Sequence, residues 1–298
     1  MTVLFVPAEL DITVLKNRLP ASPLTRFAPA PTGWLHLGHV VNAAIVWGVA
    51  RAVGGRVLLR IEDHDRDRCR AAFEEGILED LDWLGFAPDV YPTAAFRAGF
   101  CPGRQSNRES VYREAVEILV RAGLLYACDC TRREIAGSAA HPIEQSGELL
   151  YSGRCRGRDL PIQDGFGWRV RMDPGSELFD DLRLGGQVQD PAAQCGDVLV
   201  RDRLGNWTYQ FAATVDDWRQ GIDLVVRGED LLASTGRQIR LARLLGRARP
   251  PVFLHHRLLM KSPDQKLSKS DGDTGVRDLR ARGRTAAEVI SEALHAGS

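Results

Sequence analysis

No apolar run in this chain of 298 residues approaches the length that spans a bilayer, and the sequence holds no internal repeat and no low-complexity tract. Net charge is missing as well. The 39 basic residues meet 39 acidic ones, so no global positive field advertises a nucleic-acid partner, and any such partner must be met by local asymmetry. The N-terminus has neither a basic start nor a long apolar centre, since Met-Thr-Val-Leu-Phe-Val-Pro runs on to Glu9 and Asp11. That argues against a secretory signal and for the cytoplasm, with no membrane partner. Cysteine is sparse at six residues, and in a cytosolic enzyme of this size a close pair suggests metal before disulfide. What is present, 44% hydrophobic and 26% charged residues, suits a globular protein with one large domain or two modest ones.

The first third alternates between two periods. Arg26-Phe27-Ala28 is a short apolar stretch, followed by the turn-rich Pro29-Ala30-Pro31-Thr32-Gly33. Val41, Ala44, Ile45, Gly48, Val49 and Ala52 then recur at helical spacing up to Gly54-Gly55. Residues 56–61 read as a strand, and Phe73, Ile77, Leu81 and Leu84 mark a helix that Gly85 ends. Strand and helix in alternation imply a parallel sheet covered by helices. From about 101 to 195 the character changes to a helix near 110–121, a cysteine-bearing segment and Gly/Pro/Asp-rich chain with short strands, which reads as an insertion. The α/β pattern resumes at 197–200 and 224–227. The expected boundaries are an extension at 1–24, a core at 25–100 and 196–255, the insertion at 101–195, and a loop with a short tail at 256–298. Residues 1 to about 24 show no clear periodicity.

Two strings carry chemistry. His36-Leu37-Gly38-His39 lies between a strand and a helix start, where free backbone N–H groups and the helix dipole favour a phosphate, and where Gly38 would let the backbone approach a base closely. Lys266-Leu267-Ser268-Lys269-Ser270 sits far downstream in a polar loop, whose lysines can neutralise charge developing as pyrophosphate leaves. From Arg237 to Arg284 thirteen basic residues face four acidic ones, a bias that fits either a phosphate-rich partner or a solvated helix face.

In this order the two strings resemble the paired signatures of class I aminoacyl-tRNA synthetases. Arg26–Gly33, Ile61-Glu62-Asp63, Trp207–Ala212, Val215-Asp216-Asp217 and Arg227–Leu232 narrow the likeness to the glutamyl-tRNA synthetases over residues 25 to 275. The resemblance implies an α/β fold: a Rossmann-like class I core with a parallel sheet, interrupted by an α+β subdomain bearing a zinc knuckle. It implies that His36, His39 and Lys269 are catalytic and that His36, Gly38, His39, Lys266 and Lys269 bind ATP with Mg²⁺. It also implies a glutamate pocket of Arg26, Phe27, Ala28, Pro29, Ala30, Glu62, Tyr209 and Arg227. The chemistry agrees, because a γ-carboxylate calls for bidentate arginine and an α-ammonium for a carboxylate such as Glu62.

Cys128-Asp129-Cys130 precedes Cys155 by 24 intervening residues, which leaves a tetrahedral zinc one ligand short. Some glutamyl-tRNA synthetases have a histidine where this chain has Gly157. The shorter glutamyl-Q tRNA(Asp) synthetases have a Tyr-x3-Cys pattern, which Tyr151 to Cys155 fits. The resemblance thus implies one structural Zn²⁺ on Cys128, Cys130, Tyr151 and Cys155, with His141 as the rival fourth ligand and reduced, non-ligating thiols as the alternative. Cys69, Cys101 and Cys195 have no such spacing and read as structural. Only 28 residues follow Ser270, too few for a helical anticodon-binding region, so the glutamyl-Q type is expected. Its partners would be ATP, L-glutamate and the anticodon stem-loop of tRNA(Asp), on a monomeric enzyme. A truncated or discriminating glutamyl-tRNA synthetase, a silent RNA-binding paralogue and a related nucleotidyltransferase remain the alternatives.

Overall fold

The computed structural model describes residues 5–138, 149–262, 265–266 and 275–296. Its elements run α1 (Ile12–Arg18), β1 (Leu24–Phe27), α2 (Leu37–Ala52), β2 (Arg56–Leu59), α3 (Ala71–Leu84), α4 (Thr93–Arg97), α5 (Glu109–Arg121), β3 (Leu125–Cys128), α6 (Arg132–Ser138), β4 (Gly167–Val170), β5 (Glu177–Asp181), β6 (Gly185–Gln189), α7 (Pro191–Cys195), β7 (Val198–Arg201), α8 (Tyr209–Arg219), β8 (Leu224–Gly228), α9 (Thr235–Leu244), β9 (Val252–His256), β10 (Met260–Ser262), β11 (Gln265–Lys266), α10 (Val276–Ala281) and α11 (Ala286–Ala296).

The core is a parallel arrangement whose strands read as near-continuous apolar runs because helices cover them. β1 pairs in parallel with β2, and β8 with β9. The two pairs abut where the Asp223 N–H donates to the Leu24 carbonyl at 2.8 Å and the Leu24 N–H donates to the Asp223 carboxylate at 2.9 Å. β5 joins β9 in parallel at Asp181↔Phe253, and β6 closes that edge antiparallel to β5. α2 is apolar over most of its circumference, as befits a helix buried between the sheet and α11. α3 ends at Gly85 with φ 78°, the left-handed cap its sequence foretold.

A second sheet, β3–β4–β7, is antiparallel and packs with α5 and α8 around Trp168, Trp207 and Phe211. The two sheets interleave along the chain. The β5–β6 hairpin, from within 101–195, belongs to the parallel sheet, while β7, which follows the apparent return of the α/β pattern, pairs with β4. Strand runs of four or five residues carry no mark of which sheet they will join.

The N-terminal segment is built in. Asp11 caps α1 by accepting from Thr13 and Val14, and Leu15 is fully buried. The Phe5 backbone lies so close to α2 that a Cβ on Gly48 would sit 2.1 Å from the Phe5 carbonyl oxygen. A helix of seven residues is too short to display a period, which is why the sequence pattern missed it. Among the described residues no helix is long and apolar enough to cross a membrane.

Candidate active site

His36 caps α2 and its chemistry follows from local hydrogen bonds. The Gly38 N–H donates to His36 Nδ1 at 3.1 Å, and the His36 N–H donates to His39 Nδ1 at 3.2 Å. An imidazole nitrogen that accepts a backbone N–H carries no proton, so each neutral ring holds its proton on Nε2. The rings lie 4.0 Å apart, which makes the start of α2 a pair of N–H donors added to the helix dipole. A Cβ on Gly38 would stand 3.0 Å from the His36 ring, tight enough that the ring would have to give by a few tenths of an ångström.

The chain downstream of the lysine string, at 275–276, packs against this point. The Val276 N–H donates to the Leu35 carbonyl at 2.8 Å, and Gly275 bridges His36. Lys266 lies on β11, its backbone paired with Met260. Lys269 falls outside the described residues, as does His141.

A cluster of buried charge lies at the ends of β1 and β8. Arg26, 6% exposed at the end of β1, donates to Asp217 at 3.1 Å and to the Val226 carbonyl at 3.2 Å. Arg60 is fully buried and donates to Asp217 at 2.7 Å and to Glu62 Oε1 at 3.0 Å. Between these two arginines burial tends to raise the Asp217 carboxyl, yet Arg26 and Arg60 hold it down at about 2. Arg26 is therefore neutralised by a carboxylate.

Arg227 is not. It is 4% exposed at the end of β8, and its guanidinium donates to His255 Nε2 at 3.0 Å, Gln238 Oε1 at 2.7 Å and Thr235 Oγ1 at 2.9 Å. All three acceptors are uncharged, given that His255 turns its Nδ1 to Asp181 at 2.7 Å. Burial lowers both the His255 and the Arg227 pKa. Among the described residues no carboxylate lies within ion-pair distance of Arg227. Tyr209, at the start of α8, is raised by burial and feels Arg227, Glu62 and Arg26, so these four side chains converge. Pro29 runs alongside, its carbonyl accepting from the Glu62 N–H at 3.0 Å, with Ala28 and Ala30 on either side of it. Phe27 points elsewhere, its ring 5.6 Å from that of Trp47 in the core.

Several residues that hold the cluster carried little sequence signal. Asp216 accepts from Gln105 at 2.8 Å, Arg108 at 2.6 Å and Tyr112 at 2.9 Å. Two adjacent acids inside an otherwise apolar helix segment, Val215-Asp216-Asp217, are the one hint. Asp181 and His255 offered none.

The cysteines also meet. The sulfurs of Cys128, Cys130 and Cys155 lie within 4.8 Å of one another, Cys130 and Cys155 at 3.5 Å, so the group could hold a metal. The Tyr151 hydroxyl stands 3.4 Å from Cys128 Sγ and accepts the Cys155 N–H at 2.9 Å, and the Arg169 guanidinium lies over its ring at 3.7 Å. Burial and Cys155 push the Cys130 thiol up to about 12. Burial works the same way on Cys128, but Tyr151 and Arg169 outweigh it and leave that thiol lowered. Three soft donors at these separations suit a small ion that takes thiolates, with the Tyr151 oxygen next to two of the cysteines. Gly157, with φ 84°, occupies a backbone conformation that a histidine would adopt only with strain. Cys101 and Cys195 are buried and lie outside the three-sulfur group, although the Cys195 carbonyl accepts the Tyr151 N–H at 3.1 Å.

Comparison with known proteins agrees with the geometry. Residues 24–292 match the model of the tRNA synthetases class I (E and Q), catalytic domain. A glutamyl-Q tRNA(Asp) synthetase of Cupriavidus metallidurans is 45% identical over 250 residues, covering 83% of this chain and 77% of that protein. The protein of the same name from Burkholderia cenocepacia is 42% identical, with 84% and 81% covered. A solved glutamate tRNA ligase of Elizabethkingia meningosepticum, in complex with its amino acid, superposes with a TM-score of 0.69 at 30% identity. It is matched over 84% of this chain and 52% of its own, so the chain spans about half its length. The chain belongs to the class I tRNA synthetases (E and Q), a family of aminoacyl-tRNA synthetase-type ligases in which its relatives include the glutamyl-Q tRNA(Asp) synthetases.

Proposed function

We propose that the chain activates L-glutamate with ATP, without tRNA, and then transfers the glutamyl group to queuosine in the anticodon wobble position of tRNA(Asp). The observation that carries the activation half is Arg227. A buried guanidinium ringed by neutral acceptors keeps its full positive charge, and a γ-carboxylate supplies the missing partner. Tyr209 adds a hydroxyl donor, and Glu62 holds the α-ammonium through the oxygen that Arg60 leaves free. Ala28–Ala30 form the backbone wall.

Activation is in-line attack of a glutamate α-carboxylate oxygen on the α-phosphorus of ATP, with pyrophosphate leaving. The Nε2–H groups of His36 and His39 hydrogen-bond the phosphate oxygens where charge accumulates. Lys269, and Lys266 beside it, neutralise the departing pyrophosphate. Mg²⁺ bound with ATP supplies further charge neutralisation on the phosphates. Zn²⁺ on Cys128, Cys130, Cys155 and Tyr151 would tie the end of β3 to the 151–155 segment, a structural role remote from the reacting atoms. The β3–β4–β7 sheet is the natural wall for the RNA, in a soluble, cytoplasmic, monomeric enzyme.

The test measures glutamate-dependent pyrophosphate exchange without tRNA, then radiolabelled glutamate transfer to queuosine-containing and queuosine-lacking tRNA(Asp) and to tRNA(Glu). The reading expects exchange without tRNA and transfer only to the modified tRNA(Asp). Charging of tRNA(Glu) would convert it to a glutamate–tRNA ligase, and absence of exchange would end it.

A further inference from the structure

Between the charge cluster and the second sheet lies a cavity of about 380 Å³, lined in part by Asp63, His64, Gln105, Arg201, Asn206 and Trp207. No step of the activation chemistry uses it. His64 is part-exposed there, and its ring centroid is 6.2 Å from that of Tyr209, which places it at the rim of the glutamate pocket.

The protonation of His64 is dictated from behind. Asp216 is ion-paired with Arg108, and its carboxylate accepts from Gln105 Nε2 at 2.8 Å. That bond fixes which end of the amide faces which way: the nitrogen faces Asp216, so the oxygen faces His64, at 2.7 Å from Nδ1. A carbonyl oxygen only accepts, so Nδ1 must carry the proton. In the neutral ring Nε2 is then the acceptor. Asp216, Gln105 and His64 thus form a relay that sets one tautomer, as a carboxylate does for a catalytic histidine elsewhere. Trp207 is held by its own bond to Glu109 at 2.6 Å, and Leu204, 80% exposed, stands at the cavity mouth as an apolar face on which an extruded base can rest.

We infer that this cavity receives the hydroxyl-bearing acceptor nucleotide and that His64 Nε2 is the general base of the transfer step. The inference rests on the acyl-transfer reading above. In that step the acceptor oxygen bonds to the glutamyl carbonyl carbon. The bond from that carbon to the phosphate oxygen breaks, AMP leaves with the electron pair, and the hydroxyl proton passes to Nε2.

The experiment uses the full chain and queuosine-containing tRNA(Asp), with adenylate preformed on the enzyme and transfer followed in a single turnover at saturating tRNA. His64→Asn keeps an N–H donor for Gln105 but has no basic nitrogen, whereas His64→Ala opens space for added imidazole. Both are expected to slow transfer by about 100-fold or more, with pyrophosphate exchange changed less than about threefold, and imidazole is expected to restore part of the alanine variant's rate. Transfer by His64→Asn at the wild-type rate reduces His64 to a support for Gln105 and overturns the inference. Loss of exchange along with transfer overturns it too, since the residue then serves the pocket as a whole. Wild-type exchange without transfer to this tRNA removes the proposed acceptor instead, and wild-type failure in exchange removes the underlying reading.

Discussion

Asp80 on α3 should make this protein less stable as pH rises, and its replacement should reverse that. The side chain is 1% exposed, and neither carboxylate oxygen has a hydrogen-bond partner. Arg280 reaches only to 4.0 Å, because its other nitrogen is engaged by Glu79 at 3.2 Å. Burial, opposed by Arg280 and reinforced by Glu79, raises the Asp80 carboxyl from 3.8 to about 7. The sign follows from proton counts. Between those two values the unfolded chain has released a proton that the native protein still holds, so stability falls as pH rises through this window. At ~1.4 kcal/mol per pH unit the deficit is about 2 kcal/mol at pH 5 and about 4 kcal/mol at pH 8, an upper bound. Asp80→Asn imitates the protonated acid and should gain most of that difference. Asp80→Leu should gain slightly more by removing the unpartnered polar atoms. Urea unfolding midpoints at pH 5 and pH 8 measure it. An Asn variant whose gain is the same at both pH values, or that is less stable at pH 8, would show that Arg280 neutralises the carboxylate and that the reasoning is wrong.

Arg227→Lys should lower kcat/KM for glutamate in pyrophosphate exchange by about 100-fold or more, because one ammonium cannot meet three fixed acceptors and a carboxylate together; an unchanged KM for glutamate would remove Arg227 from the pocket. Metal analysis of the purified protein should give about one zinc per chain, reduced strongly by Cys155→Ser, and Tyr151→Phe should weaken retention against a chelator by about 10-fold or more. Full retention by the phenylalanine variant would assign the fourth position to another ligand. Gly48→Ala should destabilise the protein by about 1–3 kcal/mol and expose the N-terminal segment to protease, since its Cβ would meet the Phe5 carbonyl at 2.1 Å; a variant as protease-resistant as wild type would show that the segment can shift at no cost.

The parts of the fold legible in the sequence were those with long, regular signals. α2 and α3 showed helical spacing over several turns, and Gly85 marked an end that only a residue tolerant of positive φ supplies. Cys128, Cys130 and Cys155 were legible because thiols are scarce and their spacing is distinctive, and the structure brings all three together. The arginines of the cluster could be singled out, but their difference could not. Whether a guanidinium meets Asp217, as Arg26 does, or Gln238, Thr235 and His255, as Arg227 does, depends on residues that approach from other strands and helices. Asp181 and His255 lie 74 positions apart, and only the pairing of β5 with β9 makes them neighbours. The sheet membership of β5 and β7 was hidden for the same reason: short strands are assigned by what packs on them.

In the proposed glutamate pocket, the neutral hydrogen-bond acceptors of Arg227 bear on fidelity. Glutamine has the same shape as glutamate and fits the same space, so size cannot separate them. With an amide in place of the carboxylate, the buried cation stays uncompensated, a penalty that scales with how dry the pocket is and how few acids stand nearby. On the proposed reading, a protein that paired this arginine with its own carboxylates would bind both amino acids alike; with none of them within ion-pair distance among the described residues, the substrate's own charge would become the condition of entry.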